Sequence, residues 1–333
     1  AVAFGLTTPL IQRFGKGVGA APAAALLYAG ATLASLDVFR WSRDSEPPVR
    51  ATHLPRLLAV ALMGAVFAPL CLTWGVQHTD ATSASLLLNF EAVFTVVLAW
   101  RVYHEAISPR VLLALATMAA GGVLLVAGYA GVGGGFGFGA IAVVLATLGW
   151  AMDNILARPL ADLSPTQVVK WKGALGAGFS AALALAFRQP FPTLLPLLGL
   201  LACGATGYGL SLRLYLGAQR QIGAARTGSI FAVAPFVGAL SAWCLGQGAL
   251  SPVSIAAALL FALGVYLHLT EQHAHRHTHQ PIQHDHAHRH DDGHHDHEHQ
   301  PPVIGEHSHP HAHDAKTHEH PHAPDLHHRH EHG

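Results

Sequence analysis

Apolar residues run through the first 270 positions in long stretches, broken at intervals by short segments rich in Arg, Gly and Pro. The stretches are continuous rather than alternating, and many approach the ~20 residues that a bilayer-spanning helix requires. Ten can be marked off, at 1–14, 19–39, 54–76, 80–100, 108–128, 138–157, 165–187, 192–217, 222–245 and 252–270. A buried soluble core does not need ten such segments. The pattern therefore predicts an all-α integral membrane protein, with the lipid bilayer as its main partner. The chain opens inside an apolar stretch without Met or a basic flank, so the first helix is expected to be truncated.

Composition agrees, since only 11% of residues are charged and mean hydropathy is +0.35. The formal net charge of zero hides a division of the chain. Residues 1–270 carry 15 Lys/Arg against 8 Asp/Glu, whereas residues 271–333 carry 4 against 11 together with 23 of the 27 histidines. Cys71, Cys203 and Cys244 each stand alone in an apolar stretch and read as small core residues. Counted over the short loops, nine arginines fall on one side of the membrane and Arg13, Lys16 and Arg188 on the other. The positive-inside rule then sets the first helix running outward and the C-terminal tail in the cytoplasm, and the plasma (inner) membrane of a bacterium is the expected location. The Gly-rich run around 130–137 overlaps a GxGxxA match at Gly135–Ala140, but no strand precedes it, so it is read as a connector and not as a nucleotide loop.

A shift of 143 residues aligns the two halves without a gap. Ala99 and Trp100 fall on Ala242 and Trp243, Ser108 and Pro109 on Ser251 and Pro252, and Gly121 and Leu124 on Gly264 and Leu267. Five spans per half is an odd number, so the second copy enters the membrane in the opposite sense, an arrangement found in transporters. The division expected is 1–129 for one repeat, 130–137 for the connector, 138–270 for the second repeat and 271–333 for the tail.

The run from Asp80 through Asn89, Glu91 and Thr95 to Trp100, with Glu105 before the next helix, resembles the EamA family of the drug/metabolite transporter superfamily. The second copy, Gly223–Gly228 through Ala234-Pro235-Phe236, is similar to the other half of that family. The resemblance covers residues 1–270 and implies ten helices in two inverted repeats, a central cavity and export of a small metabolite or drug-like solute, with no cofactor required. Gly248 stands where the first copy has Glu105, so the acidic loop residue is kept in one half. A subset of the family is similar in its His-rich tail as well.

Ionisable side chains inside a span cost a few kcal/mol each and mark a pathway or an internal pair. Glu91, Asp153, Lys172 and Arg213 qualify. One reading makes Glu91 and Asp153 proton or cation carriers, with Asn89, Thr95, Trp150, Asn154 and Lys172 shaping a solute site. The other pairs the acids with Lys172 or Arg213 as internal salt bridges. Tryptophans 41, 74, 100, 171 and 243 lie near span ends, as an interfacial belt requires.

The tail has few apolar residues and is expected to be disordered. Its His273, His275, His277, His279, His284, His286, His288, His290, His294, His295, His297 and His299 are candidate ligands for Zn, Ni, Co or Cu in labile sites. The same imidazoles, with a reference pKa near ~6.5, would instead carry the tail from −7 toward +16 on protonation. A divalent-metal transporter and a membrane-anchored metal buffer are the alternative readings of the whole chain. No catalytic triad, cofactor loop or nucleic-acid-binding patch argues for an enzyme or a nucleic-acid partner, and a homodimer is left open.

Overall fold

The computed structural model describes residues 1–36, 49–103, 107–130, 137–160, 163–222, 224–248, 251–270, 274–278, 282–288, 307–313 and 317–321. Its membrane body is all-helical. In chain order the helical rods are α1 (Val2–Gly5 and Thr7–Gly15), α2 (Ala20–Ala34), α3 (Ala51–Gly75), α4 (Ala81–Leu87 and Phe90–Tyr103), α5 (Pro109–Ala130), α6 (Phe138–Ala157), α7 (Pro165–Ala186), α8 (Leu194–Tyr215), α9 (Ala224–Phe231 and Ala234–Cys244) and α10 (Pro252–Leu269). Among the described residues, six rods (α3, α4, α5, α6, α8 and α10) are long and apolar enough to cross a membrane by length and composition. The rod α2 and the second piece of α9 are apolar but shorter. The 22-residue α7 carries Lys170 and Lys172 in its first half.

The packing obeys the 143-residue shift. Three of the five corresponding pairs of rods lie against one another, α2 on α7, α4 on α9 and α5 on α10. Small residues set the approach at each seam. A β-carbon added at Gly121 would meet the Ala257 carbonyl at 3.1 Å, and one at Gly264 would meet the Ala114 carbonyl at 2.8 Å. Gly121 corresponds to Gly264 and Ala114 to Ala257, so the two contacts are the same contact seen from either half. Position advances along α5 as it recedes along α10, which makes the pair antiparallel. The other two seams run the same way: Ala21 N–H reaches the Gln189 side chain while Thr32 lies at Gly173, and Ala81 N–H reaches the Gln247 carbonyl while Ser85 lies at Gly238. Equivalent helices that run antiparallel are inverted repeats. Capping repeats as well, since Ser108 Oγ accepts from Val111 N–H at 3.2 Å and Ser251 Oγ accepts from Ser254 N–H at 3.0 Å.

Regular helix fails at four places, also in equivalent pairs. The middle of α3, Leu62–Phe67, and the middle of α8, Gly204–Leu210, are π-helical. The offset bonds correspond residue for residue, Ala68 N–H to Met63 O in one half and Ser211 N–H to Thr206 O in the other. The rods α4 and α9 are each broken into two pieces, around Leu88–Asn89 and Ala232–Val233. Pro235 has no N–H to return to the Phe231 carbonyl, which accounts for the break in α9. In α4 the turn is closed by short-range bonds, Leu88 N–H to Ser85 O and Asn89 N–H to Leu86 O at 3.2 and 3.1 Å. The Asn89 amide also donates to Leu86 O at 2.8 Å, competing with helical pairing.

Of the tryptophans expected at span ends, Trp74, Trp100, Trp171 and Trp243 are exposed and Trp41 lies outside the described residues. In the tail, where no regular structure was expected, β1 (Ala274–Thr278) pairs antiparallel with β4 (Thr317–Pro321), and β2 (Ile282–His288) with β3 (His307–His313). The His-x-His spacing is itself a period-two pattern, which an extended pair accommodates. His273, His279, His290, His294, His295, His297 and His299 lie outside the described residues, as do residues 131–136 of the connector.

The α5/α10 seam has no room for a side chain at Gly264. Gly264→Leu is expected to cost about 1–3 kcal/mol through overpacking. Gly178→Leu, on α7 with open space around its α-carbon, is expected to cost nothing measurable. Thermal unfolding of the two variants in detergent compares them directly.

Candidate functional site

The site forms where the irregular backbone lies. In an α-helix the Gly64 carbonyl would accept from Ala68 N–H, but the π-helical offset gives that N–H to Met63 O. The next candidate donor is residue 69, a proline without an N–H. Gly64 O is thereby released from the helix inside an apolar body, where an unpaired carbonyl is costly. Two aromatic side chains take it: the Tyr28 hydroxyl from α2 donates to it in a short bond, and Trp150 Nε1 from α6 donates at 3.2 Å. Both side chains are buried.

Asp153 lies one turn beyond Trp150 on α6, against the same glycine. A β-carbon at position 64 would fall on its carboxylate. Asp153 is 6% exposed, and its Oδ2 forms a salt bridge with Lys172 of α7. Its other oxygen, Oδ1, has no hydrogen-bond partner among the described residues. Glu91 stands in the first turn of the second piece of α4, at the positive end of that half-helix. It is half-buried, and its Oε1 accepts from the Asn154 side-chain amide at 3.0 Å. Thr95, one turn after Glu91, has a buried hydroxyl without a partner among the described residues.

Rings close the space beside these groups. Tyr208, in the π-helical turn of α8, has its ring centre 5.5 Å from that of Tyr28, 6.3 Å from Trp150 and 5.8 Å from Phe4. The Tyr208 hydroxyl is buried and has no partner among the described residues. Phe4 leads on to Phe231, 5.3 Å away. Beyond Phe231 lies a cavity of about 280 Å³ lined by Ala1, Val2, Ser211, Tyr215, Thr227 and Phe231, among others.

The candidates from the sequence thus separate into three groups. Asp153 and Lys172 are one ion pair, Glu91 and Asn154 one hydrogen-bonded pair, and Trp150 a buttress for the α3 backbone. Asn89 turns to its own chain, so its amide belongs to the break in α4. Arg213 does not pair with either acid; its Nη1 donates to Ala34 O at 3.0 Å, capping the end of α2. Tyr28, Tyr208, Phe4 and Gly64 did not stand out in the sequence. One signal was available, since Gly64 and Gly207 correspond under the repeat shift.

No charge of the site recurs at its equivalent position in the other half. The positions that correspond to Asp153, Lys172 and Glu91 are Leu10, Ala29 and Ala234, and those of Thr95 and Asn154 are Gly238 and Ile11. The scaffold is duplicated, and its chemistry is single.

The EamA-like transporter family matches the chain twice, over residues 1–127 and 137–270. A curated protein of Methanothermobacter thermautotrophicus, named an uncharacterized transporter, is 26% identical over 235 residues, spanning 67% of each chain. One solved crystal structure superposes with a TM-score of 0.56 over 80% of this chain and 94% of its own, at 18% identity. That likeness bears on the fold alone.

Removing one member of a buried ion pair leaves the other uncompensated, at a cost of about 3–5 kcal/mol. Lys172→Met and Asp153→Asn are each expected to destabilise by that order, and the double variant by clearly less than the two together. A double-mutant cycle on unfolding in detergent measures the coupling, and additive losses would show that the two do not act as a pair.

Proposed function

The chain belongs to the EamA-like transporter family, and from that premise we propose that it is a secondary transporter exporting a small metabolite or drug-like solute through the space between its two repeats. That it is a multi-pass membrane transporter follows from the family and from the apolar rods. Transporters of this family need no cofactor, and among the described residues of the membrane body no three His, Cys, Asp or Glu converge as an ion site.

The observation that carries the proposal is the coincidence of Glu91, Asp153 and Lys172 with the broken and π-helical backbone. Discontinuous helices in transporters supply binding groups at mid-membrane, where half-helix ends and released carbonyls face the solute. In this reading Glu91 and Asp153 carry the coupling proton or cation, and Lys172 is the ion-pair partner that Asp153 exchanges for it. Asn154, Trp150 and Thr95 contact or shape the solute, and Asn89 acts through the break in α4. The unpartnered Asp153 Oδ1, Tyr208 hydroxyl and Thr95 hydroxyl are the polar atoms a solute would satisfy.

Transport is tested in proteoliposomes under an imposed pH gradient, with amino acids, nucleosides and a hydrophobic cationic dye as probes. Glu91→Gln combined with Asp153→Asn is expected to lower flux of the transported probe at least tenfold. Unchanged flux would remove both residues from the site.

The arginine asymmetry of the loops supports a bacterial plasma membrane with the tail on the cytoplasmic side. There the tail would bind divalent metal through neutral imidazoles, as an attachment to the transport body. Equilibrium dialysis of full-length protein is expected to find Zn²⁺ bound near neutral pH and released as pH falls through about 6.5, where the ligands become protonated. A chain ending at Thr270 is expected to keep its flux and lose this binding.

A further inference from the structure

The two strand pairs of the tail share one register. Moving eight residues forward from Ala274 to Ile282 moves the partner eight residues back, from Pro321 to His313. Both strand pairs thus follow one antiparallel register, and that register sets histidine opposite histidine. In the inner pair His284, His286 and His288 stand across from His311, His309 and His307. In the outer pair His275 and His277 stand across from His320 and His318.

Alternate residues of a strand share a face, and residues directly opposite in an antiparallel pair share it too. All seven histidine positions of the inner pair, with His313 opposite Ile282, thus fall on one face, and six of them form three successive His–His rungs. The four of the outer pair likewise fall on one face, in two rungs. The other face of the inner pair sets Gln283 against Ala312, Asp285 against Pro310 and Ala287 against Ser308, with no histidine. In the outer pair Arg276 stands opposite Glu319, an opposite-charge rung that favours the same register.

Resting on the reading of the tail as a metal binder, we propose that the tail is a metal-clasped hairpin in which each ion is held by histidines from both of its ends. Opposite β-carbons lie about 4.5–5.5 Å apart and successive same-face positions about 7 Å apart. Two adjacent rungs therefore place four histidine positions close enough to supply one tetrahedral ion with nitrogen ligands, the coordination Zn²⁺ favours. An isolated two-stranded ribbon is marginal in water, so the ion supplies the stability that the strands lack, and binding and folding of the tail are one event. The ligand set then extends past His299 to His307, His309, His311, His318 and His320.

The clasp differs from a string of independent His-x-His sites in how losses combine. Zn²⁺ binding is measured on full-length protein in detergent for three variants. The first replaces His284, His286 and His288 with Asn, the second replaces His307, His309 and His311 with Asn, and the third carries both sets. Across a clasp, the first two lose the same ions, each with at least about tenfold weaker binding at the affected sites, and the third loses no more than either. Losses that add in the third variant would overturn the pairing while leaving metal binding by the tail intact. Absence of Zn²⁺ binding by the unaltered chain would overturn both. Thermal unfolding of the membrane body, expected to be unchanged in all three, confirms that the substitutions act in the tail.

Discussion

Inside a bilayer every backbone polar group needs a partner within the protein, and the structure depends on how that demand is met where helical pairing fails. The α3 backbone slips by one residue before Pro69, and the carbonyl it releases at Gly64 must be paired. Tyr28 and Trp150 reach it from two different rods, which fixes α2, α3 and α6 about one point. Gly64 has no side chain, so the Asp153 carboxylate can lie against the same turn and meet Lys172 from α7. The ion pair is thus built on a backbone fault, and the fault is held by aromatic donors.

The inverted repeat arranges where such faults occur. Offset bonds at Ala68 and Ser211, breaks in α4 and α9, and glycine contacts across the α5/α10 seam all recur 143 residues apart or nearly so. Irregular backbone is tolerated at membrane depth only where protein or a cavity covers it, so four matched irregularities converge on the interior by necessity. Side chains there then have something other than lipid to face.

Much of the architecture could be read from sequence because it is written in period and spacing. Ten apolar stretches each contain a helix, and the matches of Trp100 with Trp243 and Ser108-Pro109 with Ser251-Pro252 marked a repeat whose inversion the antiparallel seams bear out. The site was less legible. Charge inside a span singled out Glu91, Asp153 and Lys172, yet which acid meets the lysine depends on the rotation of α6 against α7, and no periodicity states that rotation. Asn89 and Asn154 look alike in sequence, but one bonds its own backbone and the other reaches Glu91. Tyr28 and Tyr208 were hidden because an aromatic residue in an apolar stretch is ordinary until a released carbonyl or a neighbouring ring gives it a role.

The residues at the positions corresponding to Asp153, Lys172 and Glu91 are Leu10, Ala29 and Ala234. Two separate copies of a half-length chain, related by a true two-fold axis, would have to carry both sets of charges or neither. Covalent joining of the halves removes that obligation. One half can then keep a costly buried ion pair while the other fills the same place with hydrocarbon, so fusion lets a symmetric scaffold hold a site without symmetry.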